Sequence, residues 1–337
     1  MSNNEDRGFN TVNNSSLSRR DQRLKLQRMT LMVIGALMVI MVVTLLALII
    51  GYFVSSGNTP DDPNNPSGDI SKDKVIWANT PVSAQDTVIG DLLLVNSTHQ
   101  YTFPATEEHL RNAYDVWSTH TTKSYELGGT ESAGVRMETN ALTAVDKMLT
   151  DMAAATGYTK ASLAEAYRSF DAQEALGSAT KGGYSDHHTG LLCAIKDTSD
   201  AARTWLTANA HKYGFVVRYP EDKGDKTGVT GYTSAYRYVG IAHATYMAAN
   251  NLCLEEYVEY LKANVNDKSP LTVTGADGKV YEIYYYAVNG SATVKYPTNF
   301  SYTISGTNDG GVIVTIDRSA SAAETTAEST ADTNTAN

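Results

Sequence analysis

Gly183-Tyr184-Ser185-Asp186-His187-His188-Thr189-Gly190-Leu191-Leu192-Cys193-Ala194-Ile195 begins as a polar, histidine-bearing segment and ends in an apolar run with the length of a buried strand. Downstream, Thr198 or Ser199 can cap a helix carrying Ala202, Trp205, Leu206 and Asn209, which Gly214 ends. Phe215-Val216-Val217-Arg218-Tyr219 then reads as a second strand. The Lys-, Asp- and Gly-rich loop from Glu221 to Gly231 would rim a cleft. Two further helices follow, from about Val239 to Asn250 and from Leu254 to about Ala263.

Upstream lie Tyr167-Arg168-Ser169 and Gln173, and downstream Thr227-Gly228 and Tyr236-Arg237-Tyr238-Val239-Gly240. In this order and at these spacings, the blocks resemble the VanY-type D-alanyl-D-alanine carboxypeptidases, zinc peptidases that trim bacterial peptidoglycan stem peptides. The resemblance spans roughly Asp91 to Ile316. It implies a Ser-x-His-x-x-Gly-x-Ala-x-Asp block whose His and Asp bind zinc, and a later Glu-Pro-Trp-His block supplying the base and the third ligand. Ser185, His187 and Gly190 fall where that pattern puts them. The Asp position, however, is Ala194, the Glu position is Tyr232 and the second His position is Ala235.

Those departures bear on chemistry. A catalytic zinc takes three protein ligands and one open position, which lowers its bound water to a pKa of about 7. One imidazole does not hold it, and a phenol titrating near about 10 is a poor general base at neutral pH. His188, His211, His243 and Asp197 are the nearest candidates to rebuild a site, and each has a plainer role. On an extended segment His188 would face away from His187. His211 sits near a helix end, where the dipole favours an imidazolium. His243 lies on the next helix, and Asp197 precedes a helix start. No catalytic residue and no cofactor are expected, zinc belonging only to the alternative of an active enzyme. By the resemblance, Arg168 faces the substrate's terminal carboxylate, which a guanidinium fork matches bidentately; the other reading is an Arg that bridges loops. Gln173 and Ser185 complete the expected ligand-binding set, although Gln173 can simply cap or stack and Ser185 can bond backbone.

Outside this region, Met1 to Met29 is polar and carries six basic against three acidic residues. Thr30 to Val54 carries no charge and is long enough, at about 1.5 Å per residue, to cross about 30 Å of hydrocarbon. A transmembrane helix over 30–54 is therefore expected, the alternative being a cleaved signal peptide. Basic residues before the span and Asp61, Asp62 and Asp69 after it place the amino terminus in the cytoplasm and the main domain outside. The chain's net charge is −10. Its acidic outer part argues against nucleic acid as a partner. Residues 55–75 form a polar linker punctuated by Pro60, Pro63 and Pro66.

Within the expected carboxypeptidase-like domain, 76–266, Asp91 to Asn96 reads as an entering strand and Glu107 to Trp117 as a helix. Leu142, Val145, Met148, Leu149 and Met152 make the apolar stripe of a helix from Asn140 to Thr156. Cys193 and Cys253 are expected as two free buried thiols. From 267 to 317 strands dominate: Leu271-Thr272-Val273-Thr274 and Lys279 to Tyr284 flank the hairpin signal Asp277-Gly278, and Phe300 to Ile304 and Val312 to Ile316 follow. This resembles an extension on some members of the family. Residues 318–337 lack large apolar side chains and read as a disordered tail. The whole is expected as α+β: one N-terminal transmembrane helix, a small, mostly antiparallel sheet flanked by helices, and a β-rich C-terminal extension. Three functions compete: a degenerate carboxypeptidase-like protein that binds peptidoglycan stem peptide or another cell-wall element, an active zinc carboxypeptidase, and a membrane-anchored interaction module with a closed cleft.

Overall fold

The structure, a computed structural model, describes residues 74–128 and 134–321, apart from the side chains of 320 and 321. In chain order its elements are β1 (Trp77–Ser83), β2 (Leu110–Asn112), α1 (Ala113–Trp117), β3 (Glu126–Leu127), β4 (Arg136–Glu138), α2 (Thr139–Thr156), β5 (Ser162–Glu165) and α3 (Phe170–Ala175). They continue as β6 (Leu192–Lys196), α4 (Asp200–Asn209), β7 (Phe215–Val217), α5 (Gly224–Thr227), β8 (Ala235–Tyr238), α6 (Ile241–Ala249) and α7 (Leu254–Asn264). The last five strands are β9 (Leu271–Thr274), β10 (Val280–Ala287), β11 (Ser291–Pro297), β12 (Phe300–Gly306) and β13 (Gly311–Ser321).

The central sheet has the order β3-β5-β6-β8-β7. Only β3 and β5 run parallel, so the sheet is mostly antiparallel. Behind it lies α2, whose stripe Leu142, Val145, Met148, Leu149 and Met152 is buried against Leu163, Cys193, Ile195 and Phe215. Burying each such side chain is worth roughly 1.5–3 kcal/mol, enough to fix which face of α2 meets the sheet. The Glu138 carboxylate caps α2 by accepting from the Asn140 and Ala141 N–H groups, and Gly157 ends it at φ 71°. Ser199 caps α4 through the Ala202 N–H, as the sequence suggested. Cys193 and Cys253 are both free and buried.

A second sheet, β12-β13-β10-β9, forms the C-terminal extension. Its Val273, Ile283, Tyr285 and Ile313 pack with Ala244, Met247, Tyr257 and Leu261 of α6 and α7, so the extension shares a core with the main domain. β1 pairs along its length with β11, tying the start of the described chain to that extension.

Three expectations are corrected. Residues 30–54, expected as a membrane span, lie outside the described residues. Among those described, no helix is long and apolar enough to cross a membrane, and the fold of the described residues is α+β. Asp91 to Asn96 is buried from Leu92 to Val95 but joins no sheet. Its amides are met singly, Leu92 N–H by the Ser305 hydroxyl and Leu94 N–H by the Thr307 carbonyl, so an apolar run is buried without a ladder. Finally, the helix over Glu107 to Trp117 is split. Leu110 to Asn112 pairs with β4, and the Asn112 side chain caps the short α1 that follows.

Candidate functional site

Ser185 to Gly190 forms a single 3-10 turn ahead of β6, and Gly190 closes it at φ 69°. A side chain at Gly190 would run into Leu110, so only glycine lets the turn nest against β2. The turn holds two histidines, pointing different ways. His188 is fully buried: its Nε2 accepts from the Gly183 N–H at 2.9 Å, and its Nδ1 therefore donates to the Arg168 carbonyl at 2.6 Å. Its ring lies against Tyr101 and Phe103. That makes His188 a splint between two loops. It does face away from His187, but from a turn and not from an extended segment.

His187 is 4% exposed. Its Nδ1 donates to the Ala166 carbonyl at 2.7 Å, so its Nε2 carries the lone pair and accepts from the Tyr232 hydroxyl at 3.1 Å. A backbone carbonyl on Nδ1 is the arrangement that aims an imidazole at a metal; here a phenol stands at the aimed end. Burial pushes His187 down to about 4, and the Arg168 charge adds to that. Burial also pushes the Tyr232 phenol well up, so it stays protonated and donates. Tyr232 stacks on Tyr219, ring centroids 5.8 Å apart.

Ala194 and Ala235 are direct cross-strand partners on β6 and β8, both fully buried. The fold thus brings Ala194 and Ala235 together, with Leu192, Tyr219 and Tyr232 packed against Ala235. Methyl groups have no lone pair to offer a cation, and zinc does not fit this donor set. Among the described residues no group of three His, Cys, Asp or Glu side chains is placed to hold a metal. His243 joins the Tyr257 hydroxyl (2.7 Å) and the Thr315 hydroxyl (2.9 Å), linking α6 to the extension. Burial, then the neighbouring Lys212 charge, lowers the His211 pKa, which corrects the imidazolium expected at that helix end.

Arg168 follows β5. Its guanidinium donates to Gln173 Oε1 at 2.7 Å and to Glu165 Oε2 at 2.9 Å, engaging two of five N–H donors. Buried Gln173 in turn donates to the Ser178 hydroxyl and the Thr180 carbonyl, so α3 and the loop after it orient the fork. Burial pushes the Glu165 carboxyl up, but the Lys196 ammonium, with His187 and Arg168, outweighs it and holds the carboxyl below the usual range. A cavity of about 180 Å³ lies beside Arg168, between Gly134, Val135 and Ala164. The Arg168 N–H donates to the His187 carbonyl at 3.2 Å, joining the fork to the histidine turn. Ser185 is buried in the same turn, but no hydrogen bond links it to Arg168 or Gln173.

Sequence reading missed Asp186. Fully buried, it bridges Arg218 and Arg237, both wholly buried, and Arg218 forks onto Glu255 at 2.8 and 2.9 Å. The signal was there: an arginine inside each of two apolar strands must bury its charge, and a buried guanidinium needs a carboxylate.

A family model described as VanY, D-alanyl-D-alanine carboxypeptidase, matches residues 134–241. A D-alanyl-D-alanine carboxypeptidase of Enterococcus faecium is 33% identical over 246 residues, which cover 70% of this chain and 78% of that one. The chain belongs to the VanY-type D-alanyl-D-alanine carboxypeptidase family. A second relative, from Enterococcus faecalis, is 42% identical over 81 residues, covering 23% of this chain and 30% of its own. Among solved structures, the vancomycin resistance D,D-dipeptidase VanXYg, in complex with a D-Ala-D-Ala phosphinate analog, shares the fold with a TM-score of 0.59. The match is 24% identical and covers 72% of this chain and 99% of that one.

Proposed function

We propose that this VanY-family protein binds the D-alanyl end of peptidoglycan stem peptides without hydrolysing them, acting on the outer side of the cytoplasmic membrane where such peptides lie. The observation that carries the reading is the Tyr232 hydroxyl on His187 Nε2, beside the paired methyls of Ala194 and Ala235. A zinc ligand has become a hydrogen-bond acceptor, and the base position holds a phenol too weakly acidic to take a proton from water. What the chain keeps is recognition. The Arg168 fork, set by Gln173 and Glu165, retains N–H donors for a terminal carboxylate, and Ser185 lines the same turn as His187.

The test is a pair of measurements on the purified chain. Metal analysis and a D-alanine release assay on a stem pentapeptide are expected to give no stoichiometric zinc and no turnover; both present would overturn the reading. Calorimetric titration of the pentapeptide is expected to show binding that Arg168→Ala weakens about tenfold or more, the worth of a charge-assisted hydrogen bond. The stacking of Tyr232 on Tyr219 also fits a closed cleft and an interaction role, which gains if neither form binds the peptide.

A further inference from the structure

A cavity of about 300 Å³ opens between the loop that follows α3 and the turn that follows α5. That is the lower end of the range of roughly 300–1,000 Å³ typical of small-molecule sites, room for one side group of a larger ligand. Its lining runs from Ala179 to Lys181 and Tyr184 on one side and from Thr227 to Val229 on the other, with Tyr219 between them in the chain. These walls are set by their own bonds. The Thr180 carbonyl accepts from Gln173 at 2.8 Å, and the Thr227 hydroxyl accepts from the Val229 N–H at 3.3 Å. Asn96, also in the lining, donates to Glu255 at 3.2 Å. A site shaped before its ligand arrives loses less on binding.

The cavity adjoins the Arg168 fork and the histidine turn. Gln173 binds Arg168 through its Oε1 and Thr180 through its Nε2, so two hydrogen bonds separate the fork from the cavity wall. Tyr184 directly precedes Ser185, where the histidine turn begins, and Tyr219 stacks on Tyr232. A peptide whose end lies at Arg168 therefore has this cavity within reach of its preceding residues.

Two features give the ligand chemistry. First, among the described residues the lining carries one charged side chain, the Lys181 ammonium, and no carboxylate. Acidic residues outnumber basic ones 37 to 27 in this chain, yet none of those described pairs with Lys181. Second, Tyr219 is only 8% exposed, and its hydroxyl meets no partner among the described residues. Nor is that oxygen sealed off, as those of Tyr285 and Tyr286 are, so the polar end of Tyr219 opens to the cavity it lines. Burial pushes its phenol up to about 12 against the opposing Arg218 charge. The proton stays on, and the hydroxyl donates. An ammonium likewise only donates, whereas a carboxylate only accepts, at up to about four positions. A neutral guest would leave Lys181 without a counter-ion, and a cationic one would be repelled by it.

We infer that this cavity is a carboxylate-binding site, with Lys181 as the counter-ion and the Tyr219 hydroxyl as a donor. The identity of the guest rests on the stem-peptide reading: it is a second carboxylate of the same peptide, carried upstream of the terminal one that Arg168 meets. The site shares no lining residue with the cavity beside Arg168, so each can be altered without the other.

Two stem pentapeptides, identical except that the glutamyl α-carboxylate is free in one and a carboxamide in the other, serve as probes in calorimetric titrations of the full chain. Wild type is expected to bind the acid about three- to tenfold more tightly than the amide. Lys181→Met, which keeps the side-chain stem, and Tyr219→Phe, which keeps the ring stacked on Tyr232, should each shrink that preference and leave the amide's affinity as it was. Arg168→Ala should weaken both peptides alike. Equal affinity of wild type for acid and amide, or a preference that survives Lys181→Met, overturns the inference while the stem-peptide reading stands. Glutarate is titrated in parallel by NMR. It is expected to shift the Tyr184 and Tyr219 ring signals in wild type and not in Lys181→Met. If no pentapeptide binds, the stem-peptide reading fails by itself and glutarate decides the site: no shift at millimolar concentration removes it.

Discussion

His187 keeps the tautomer of a metal ligand, with its proton on Nδ1 toward the Ala166 carbonyl and its lone pair on Nε2. Tyr232 is the only donor that lone pair meets among the described residues, so Tyr232→Phe strands a buried acceptor. The expected cost is about 1–3 kcal/mol, read from urea denaturation midpoints; an unchanged midpoint would show that the bond adds nothing. Acid should act through the same residue type. Burial pushes His187 down to about 4 and His243 to about 3, below the ordinary value of 6.5. The unfolded chain takes up protons that these sites refuse. Their contribution is thus whole above about pH 6.5 and is lost progressively as the pH falls toward about 4. Between them the two imidazoles account for a loss on the order of a few kcal/mol. Denaturation curves taken from about pH 7.5 down to about pH 4.5 should show the decline, and His243→Gln, which cannot ionise, should make it shallower. Equal slopes in the two proteins would remove His243 from the explanation.

At the scale of elements, the Asp186 bridge joins the histidine turn to Arg218 just after β7 and to Arg237 on β8, and through Arg218 to Glu255 on α7. Asp186→Asn keeps the shape and deletes the charge, leaving two buried guanidinium groups underpaired. Breaking a buried pair costs about 3–5 kcal/mol, so the variant should melt well below wild type by circular dichroism; a loss under about 0.5 kcal/mol would mean the turn is held by other contacts. Such a network shows why the sequence could be read only in part. The α2 stripe, the Ser199 cap and the Asp277-Gly278 hairpin are local patterns, and all three were legible. The run Leu92 to Val95 was not, because burial alone does not say whether a partner strand exists. Here the partners are single atoms of Ser305 and Thr307, more than two hundred residues away. β11 was missed because its partner β1 lies equally far along the chain. At the site, Ala194, Tyr232 and Ala235 were singled out only through the family resemblance, whereas the bond between Tyr232 and His187 joins residues 45 apart and needed the fold.

The whole molecule still presents the family's frame, and a reversal of the substitutions tests how complete that frame is. Ala194 and Ala235 are register partners on adjacent strands, and His187 aims its lone pair toward Tyr232 beside them. Ala194→Asp, Tyr232→Glu and Ala235→His together would therefore set two imidazoles and a carboxylate around one point, with a second carboxylate at the base position. Without metal this arrangement is unfavourable. A carboxylate in place of the Ala194 methyl faces Glu165, the neighbour of that position across β5 and β6, and like charges close together in a buried place repel. The metal-free triple variant is accordingly expected to melt below wild type. Zinc, which binds the folded chain and not the unfolded one, should raise its melting temperature in proportion to the logarithm of its concentration, with about one equivalent retained after dialysis as three protein ligands predict. Wild type should show neither effect. If the triple variant folds and still takes up no zinc, the strands have shifted in ways that register alone does not reveal. The difference from a zinc site would then extend beyond three side chains, into the backbone that carries them.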